Sequence, residues 1–243
     1  VAGDLWQSPH LCRGQARNRV NAASYPCPLP DGSSVAEYAL VFDRGADQRL
    51  LIIPALFDEG HRTRRLCVDV MRRLDASGIA ALLPDLPGTN ESQINLAGLA
   101  LTDWANAISS AANHFRATHV LAVRGGGLLI PPGLPGWRYG PVDGASLLRR
   151  MIRARVVSNR ESGHEDDAES LLTTAEKGGI ELAGYHLGAA MVGQLHAVRP
   201  DGTLPEIEQE LVSGSPLWLR AEPDADAAQA DALAAYLTIA IRG

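Results

Sequence analysis

A strand, a sharp turn and a second apolar segment follow one another at residues 118–129, and the turn carries an arginine where a nucleophile is expected. The apolar run 120–123 leads directly into Gly125, Gly126 and Gly127. This order is the context of the G-x-S-x-G nucleophile elbow, in which the third residue attacks the substrate. Arg124 occupies that third position. Because a guanidinium stays protonated at neutral pH, it cannot attack an acyl carbon, and the sequence predicts the turn without its usual chemistry.

Strands that alternate with helices predict an α/β fold. Apolar runs that read as buried strands are separated by segments with helical spacing, which is typical of a parallel sheet covered on both faces. We predict strands at 35–42, 49–53, 79–83, 118–123 and 217–221, and helices at 63–76, 96–115 and 227–241. The fold class is therefore a mostly parallel, doubly wound sheet within one domain spanning 1–243, with residues 130–210 as a helical lid insertion. Residues 1–47 are polar and broken by prolines, and we expect a partner for strand 35–42 among them.

Charge and composition exclude several function classes. The formal net charge is −6, which gives no electrostatic footprint for nucleic acid. No apolar stretch approaches the ~18 residues of a membrane span, and no basic segment followed by an apolar one opens the chain. Cys12, Cys27 and Cys67 have no C-x-x-C spacing and read as free thiols of a reducing compartment, so we expect a cytoplasmic location.

The acid of a Ser-His-Asp triad has a candidate counterpart in this sequence, and the base has none. Asp224 follows the predicted strand 217–221, which is where the acid of such a triad is placed. Alternatively, Asp224 or Asp226 caps the helix that follows. No histidine follows His196 in the sequence, so the base is missing along with the serine.

The turn after the first parallel strand predicts an anion-binding site. Backbone N–H groups of residues 54–61 and of Gly125 can converge at a helix N-terminus, and Arg124 adds a fixed positive charge. The ligand-binding residues predicted in this way are Arg124, Gly125, Ala55, Leu56, Phe57 and His61. Alternatively, Arg124 pairs with a buried carboxylate such as Asp224 or Asp58, since a buried charge needs a partner.

Other candidate sites carry weaker signals. A relocated nucleophile would be Ser92, Ser146 or Cys67, with His61 or His186 as its base. The acidic stretch 161–169 resembles a metal site only in composition, because His164, Glu165, Asp166 and Asp167 are adjacent and lack ligand spacing. We predict no metal site and no cofactor, since the glycine cluster lacks the Lys-Ser/Thr of a P-loop and the G-x-G-x-x-G pattern.

Over residues 49–243 the chain resembles the α/β-hydrolase superfamily. The matching segments are 51–54, 83–92, 122–126 and 217–224, of which 85–92 is similar to the D-x-x-G-x-G-x-S loop of that fold. More narrowly, segments 62–65, 141–150 and 180–187 resemble the exosortase A system-associated hydrolases, which accompany bacterial exopolysaccharide and exosortase loci. The resemblance implies the fold, and fold does not imply function.

Three hypotheses about function follow. The first is a non-catalytic binding or accessory protein of exopolysaccharide and exosortase systems, which binds a small anionic or acylated ligand, or a partner protein, through Arg124 and the neighbouring amides. The second is an atypical esterase, acyl hydrolase or acyltransferase with a relocated nucleophile. The third is an assembly component of an export machinery, in which residues 137–139 and the lid present a docking surface.

Overall fold

The computed structural model describes residues 21–161 and 167–243, apart from the side chain of residue 161. Within these ranges the central sheet has seven strands in the order β1-β2-β4-β3-β5-β6-β9. The strands are β1 (Asn21–Pro28), β2 (Ser34–Phe42), β3 (Arg49–Ile53), β4 (Ala80–Pro84), β5 (His119–Val123), β6 (Gly136–Tyr139) and β9 (Glu206–Ile207), while β7 (Ile180–Leu182) and β8 (Tyr185–Leu187) form a separate hairpin. Strands β4, β3, β5, β6 and β9 run parallel, and β1 and β2 extend the sheet antiparallel. The predicted α/β class and mostly parallel sheet are confirmed.

Helices cover both faces of the sheet, as predicted for a doubly wound arrangement. They are α1 (Asp58–Ala76), α2 (Leu101–His114), α3 (Gly144–Glu161), α4 (Ala168–Gly178), α5 (Ala189–Ala197), α6 (Gln209–Val212) and α7 (Ala227–Arg242). Alternate residues of β3 enter two separate cores: Leu51 and Ile53 pack with α2, α3 and α5, and Leu50 and Ile52 pack with α1 and α7. Successive side chains of a strand point to opposite faces of the sheet, and both faces of β3 are buried in an apolar core. This explains why the strand is a continuous apolar run.

Two helices begin at residues other than those predicted. Helix α1 begins at Asp58, five residues before the predicted start. The sequence prediction missed this first turn because the turn is polar and lacks the apolar spacing by which a helix is recognised. Acidic residues in a first turn are favoured by the helix dipole. Helix α2 begins at Leu101, where the Asp103 carboxylate accepts a hydrogen bond from the Ala100 N–H at 2.7 Å. Residues Leu96–Gly98 form a separate 3-10 turn.

Strand β6 places residues 137–139 inside the sheet. Trp137 and Tyr139 are buried, with Tyr139 packed edge-on against Trp218 at 5.3 Å between ring centroids. The prediction that this segment presents a docking surface is therefore wrong. The Pro-Gly-rich stretch before it concealed the strand, and Gly136 allows the close pairing, since a Cβ there would lie 1.9 Å from the carbonyl oxygen of Val120.

The predicted strand at 217–221 is also wrong. Residues Leu217–Leu219 form a 3-10 turn, and the two-residue strand β9 is paired with β6 at this end of the sheet. The turn instead delivers Trp218 to the neighbourhood of Arg124.

Helices α3, α4 and α5 and the hairpin β7–β8 form the helical part of residues 130–210. We call this part the insertion (residues 144–197). The strands β6 and β9 belong to the central sheet although they too fall within 130–210, so the helical part is shorter than the sequence prediction. Among the described helices none has the length and apolar content needed to cross a membrane.

Candidate functional site

The elbow is present in the backbone even though its serine is absent. Arg124 has φ 53°, a left-handed conformation that non-glycine residues adopt at an energetic cost and that is common at functional turns. The glycine two residues later fits a crowded position, because a Cβ at Gly126 would lie 2.6 Å from the carbonyl oxygen of Pro54. The chain continues as a 3-10 turn, Arg124–Leu128, in place of a longer helix. The predicted turn therefore exists with an arginine at its tip.

Glu59 in the first turn of α1 holds the arginine side chain. Arg124 donates from Nε to Oε2 of Glu59 at 3.0 Å and from Nη2 to Oε1 at 3.1 Å, which makes a bidentate pair. Both side chains are more than nine-tenths buried, with 8% and 4% of their area exposed. A planar guanidinium matches a carboxylate in this geometry, and the pair satisfies two charges that could not be buried singly. The carboxylate partner is thus neither Asp58 nor Asp224.

Trp218 and Gly140 complete the enclosure of Arg124. The guanidinium carbon lies 4.5 Å from the centroid of the Trp218 ring, and Nη1 donates to the Gly140 carbonyl oxygen. A cation over an indole face gains electrostatic energy beyond ordinary packing. The position at which a nucleophile would meet a substrate is therefore filled by a stacked and hydrogen-bonded side chain.

Arg150 ties the insertion to the same carboxylate. It lies on α3 and pairs through Nη1 with Oε1 of Glu59, while 44% of its side chain stays exposed. Glu59 thus contacts one arginine from the elbow and another from the insertion. Thr63 supports this turn of α1, because its hydroxyl donates to the Glu59 carbonyl oxygen at 2.7 Å.

A narrow cleft lies beside this cluster, at the start of α1. It encloses about 30 Å³ and has an apolar wall and a polar rim. The residues that line it are Pro54, Ala55, Phe57, Gly60, His61, Thr63, Arg64, Cys67, Leu83, Leu86, Thr89, Asn90 and Tyr185. A space of ~10–15 Å³ on this scale admits one water molecule, so the cleft has room for a group of a few atoms.

Arg64 and Asn90 on the rim are positioned by the buried Asp85. Arg64 donates from Nη1 to Oδ1 of Asp85 at 2.7 Å, and Asn90 donates from Nδ2 to the same oxygen at 2.8 Å. Asp85 is 2% exposed, and its Oδ2 has no hydrogen-bond partner among the described residues. Asn90 has φ 50° and stands where the resembled loop carries its second glycine. Asp85 therefore holds two donor groups at the cleft, the guanidinium of Arg64 from α1 and the amide of Asn90 from the loop 85–92.

The insertion closes the other side of the cleft through Tyr185. Its hydroxyl lies 2.9 Å from Nε2 of His61, and its ring packs edge-on against Phe57 at 5.3 Å. Burial raises the pKa of Tyr185 to about 12, with a further rise from the nearby Asp58 carboxylate. Tyr185 is therefore neutral at physiological pH and forms one wall of the cleft.

The structure divides the predicted ligand-binding residues into three groups. Ala55, Phe57 and His61 line the cleft. Gly125 and Leu56 are buried against one another, because a Cβ at Gly125 would lie 2.9 Å from Cγ of Leu56. Arg124 is occupied by Glu59 as described above.

Asp224 belongs to a different part of the surface. It pairs with Arg220, and 55% of its side chain is exposed. The Ala225 N–H and then the Arg220 guanidinium lower the pKa of this carboxyl. Asp226, the alternative residue, caps α7 by accepting from the Gln229 N–H at 3.0 Å. Among its described contacts, Asp224 has none with Arg124 or with a histidine.

The candidate relocated nucleophiles have structural contacts of their own. The Ser92 hydroxyl donates to Glu37 at 2.6 Å and accepts from the Gly88 N–H at 2.8 Å, which stabilises the loop after β4. Ser146 hydrogen-bonds to Asp143 at the start of α3. Cys67 lines the cleft together with His61, but burial raises the pKa of its thiol to about 12 despite the nearby Arg64 guanidinium.

Neither His186 nor Asp167, the described residue of the candidate metal cluster, lines the cleft. His186 is exposed and lies 3.7 Å from Glu181 within the β7–β8 hairpin. His164, Glu165 and Asp166 lie outside the described residues, and Asp167 caps α4 by accepting from the Ser170 N–H at 2.8 Å. Within the described ranges, no group of three or more His, Cys, Asp or Glu side chains could hold a metal ion.

Several residues of the site were missed by the sequence predictions. Glu59 stands next to Asp58, but the predicted helix start at residue 63 placed it in a loop. Trp218 was assigned to a strand. Arg64 and Tyr185 fall inside the segments 62–65 and 180–187, which the family resemblance singled out without giving them roles.

Comparison with known proteins supports the fold. No protein-family model and no curated protein matches the sequence. Among solved structures, a protein assigned provisionally as a hydrolase from Agrobacterium vitis S4 is 14% identical with a TM-score of 0.54, and the match covers 77% of each chain. Est1E from Butyrivibrio proteoclasticus, determined with bound ferulic acid, is 18% identical with a TM-score of 0.48, covering 73% of this chain and 72% of that one. Together with the sheet order, the first of these likenesses shows that the chain has an α/β-hydrolase fold.

Proposed function

We propose that this chain is a non-catalytic α/β-hydrolase-fold protein that binds a small ligand in the cleft beside its filled elbow. The observation that carries the proposal is the bidentate pair of Arg124 and Glu59 at the tip of the elbow. A protonated guanidinium cannot form an acyl intermediate, and both of its carboxylate-facing donors are already engaged. The elbow therefore serves as a structural junction between the sheet, α1 and the insertion.

The ligand site that we propose is the cleft at the start of α1. Its wall is apolar, with Ala55 and Phe57 on one side, and its rim carries the guanidinium of Arg64. Arg64 has Nη1 on Asp85, whereas its Nε and Nη2 have no partner among the described residues. This chemistry suits a small acylated or anionic ligand, with the acyl group against the wall and the carboxylate on Arg64. Arg124 would then frame the site without contacting the ligand.

The resemblance of segments 62–65, 141–150 and 180–187 supports an accessory role in an exopolysaccharide or exosortase system. Two of these segments contribute to the cleft and its closure through Arg64 and Tyr185, and the third begins α3, which carries Arg150. The segments that carry the resemblance thus surround one site, as expected if they share one binding role.

Loss of catalysis is tested with a covalent probe and an ester substrate. The full chain is incubated with a fluorophosphonate and analysed by intact mass, in parallel with turnover of a short-chain nitrophenyl ester. We expect no adduct and no turnover above buffer, while an active serine hydrolase treated in the same way is labelled. A stoichiometric adduct on the chain, mapped to any serine, would contradict the proposal.

Ligand binding is tested by calorimetric titration of acetate, a carboxylate small enough for the cleft, into the protein. Arg64→Gln is expected to abolish the heat of binding, whereas Arg65→Gln, on the same helix with its side chain 69% exposed, retains it. Absence of binding to the unmodified protein would reject the short-acyl ligand while leaving the loss of catalysis intact.

An atypical hydrolase is the second candidate, and one observation favours it: Cys67 and His61 line the same cleft. Nucleophilic attack needs the thiolate, which a pKa near 12 leaves almost unpopulated at neutral pH. Ester turnover that survives fluorophosphonate and disappears in Cys67→Ala would establish this candidate in place of the first.

A further inference from the structure

One face of α3 carries a stripe of arginines, of which the site described above uses only Arg150. At 100° per residue, Arg149, Arg150, Arg153 and Arg160 fall within an arc of about 100°. All four are exposed, and α3 has no acidic residue before Glu161. The stripe extends over about 16 Å, from the 1.5 Å rise per residue. We call these four arginines, together with Val157, the basic face of α3.

The charge of this face is only partly compensated. Arg150 pairs with Glu59, and Arg149 interacts with Asp143, whose pKa is lowered first by the Ser146 N–H and more weakly by Arg149. Arg153 and Arg160 have no ion pair with any described residue. In a chain of net charge −6, this helix is a local concentration of positive charge.

The shape and composition of the face favour a fluid anionic surface. The opposite side of α3 is buried through Leu147, Leu148, Met151 and Ile152, so the exposed side is the convex surface of one packed helix. Val157 lies inside the basic arc and is 59% exposed. A solvent-exposed apolar side chain among long cationic ones matches the boundary between lipid headgroups and acyl chains.

We propose that the basic face of α3 binds the surface of a membrane that contains anionic lipids. The arginines supply electrostatic attraction to the headgroups, and Val157 enters the headgroup layer without any segment spanning the bilayer. This association does not depend on what occupies the cleft or on whether the elbow is catalytic.

The proposal is tested by co-sedimentation of the full chain with vesicles at low ionic strength. One set contains phosphatidylcholine alone, and the other contains phosphatidylglycerol and phosphatidylcholine in equal parts. We expect sedimentation with the anionic vesicles only, and its loss in high salt. Because each basic residue near an anionic surface contributes about fivefold in affinity, Arg153→Gln with Arg160→Gln should weaken binding roughly 25-fold.

A matched control removes two exposed arginines elsewhere. Arg65→Gln with Arg72→Gln on α1 changes the net charge equally, and we expect affinity within about twofold of the unmodified protein. Equal losses in the two double variants, or equal binding to both vesicle types, would overturn the proposal. Retention on immobilised heparin without vesicle binding would also overturn it and would assign the face to a polyanionic polymer.

Discussion

Replacement of Glu59 by glutamine should destabilise the protein far more than its conservative chemistry suggests. Arg124 would keep its charge at a site where 8% of the side chain is exposed, with a neutral amide in place of its carboxylate. Removal of one member of a buried ion pair costs about 3–5 kcal/mol, because the remaining charge is desolvated without compensation. A total stability of about 5–15 kcal/mol makes this a large fraction.

Replacement of Arg124 by methionine should cost less than replacement of Glu59. Glu59 then keeps Arg150, whose side chain is 44% exposed and whose contribution is reduced by solvent screening. We expect a loss of about 1–3 kcal/mol for Arg124→Met, which is the usual cost of leaving a buried group partly unsatisfied. The variant that combines Glu59→Gln with Arg124→Met has no buried guanidinium left beside an amide. Its loss of unfolding free energy should therefore be smaller than the sum of the two single losses by about 2 kcal/mol.

Urea unfolding followed by tryptophan fluorescence measures all three variants, and Trp218 beside Arg124 reports on the site itself. In thermal unfolding, Glu59→Gln should lower Tm by roughly 10 °C, since 1 kcal/mol corresponds to about 2–4 °C in a chain of this size. The control is Glu222→Gln, at an exposed position. Additivity of the two single changes within ~0.5 kcal/mol, or equal effects of Glu59→Gln and Glu222→Gln, would refute the reasoning.

Three further outcomes follow from the geometry. Alkylation of Cys67 by iodoacetamide at pH 8 should be slow, because the thiol is buried with a pKa near 12, and it should be faster in Tyr185→Ala, which opens the cleft. Peptide mass mapping measures both rates, and equal rates would show that Tyr185 does not close the cleft. Gly126→Ala should lower Tm by several degrees or prevent folding, because its Cβ would lie 2.6 Å and 2.7 Å from two backbone carbonyl oxygens, whereas Gly98→Ala meets nothing within 4 Å and should change Tm little. Burial raises the pKa values of Tyr139 and Tyr185 to about 12, so the stabilising contribution of their neutral forms is complete below pH 10 and is lost as the pH rises from 10 to 12. Absorbance at alkaline pH should show both residues ionising at a higher pH than exposed tyrosine, and ionisation of all tyrosines near pH 10 in the folded protein would contradict this.

Much of the parallel core was predictable because its strands are apolar on both faces. The run 49–53 appears in the structure with the predicted bounds, and 118–123 differs by one residue. The turn at Arg124 was predictable as well, because it is marked by the glycines Gly125 and Gly126. These positions pack against the end of β3 and the loop that follows it, where a Cβ atom would not fit. Local pattern sufficed in these places because both faces of the chain are buried.

Sequence pattern failed where burial depends on distant partners. Residues 217–221 have the composition of a strand, but the position beside β6 is taken by β9, and Trp218 packs instead on a cation and a tyrosine ring. Strand β6 escaped prediction because its glycine and flanking prolines are typical of loops. Glu59 was missed because a buried carboxylate is recognisable only from the arginines that approach it, which lie 65 and 91 residues away.

The shared carboxylate of Glu59 has a consequence for how the native state opens. One ion joins the helix after β3, the turn after β5 and the first helix of the insertion, three segments that are far apart along the chain. Detachment of the insertion would remove Arg150 from Glu59, and unfolding of the elbow would remove Arg124. The slowest-exchanging amide protons of α3 should therefore share their protection free energy with those of β3 and β5, so that α3 and the sheet form one cooperative unit.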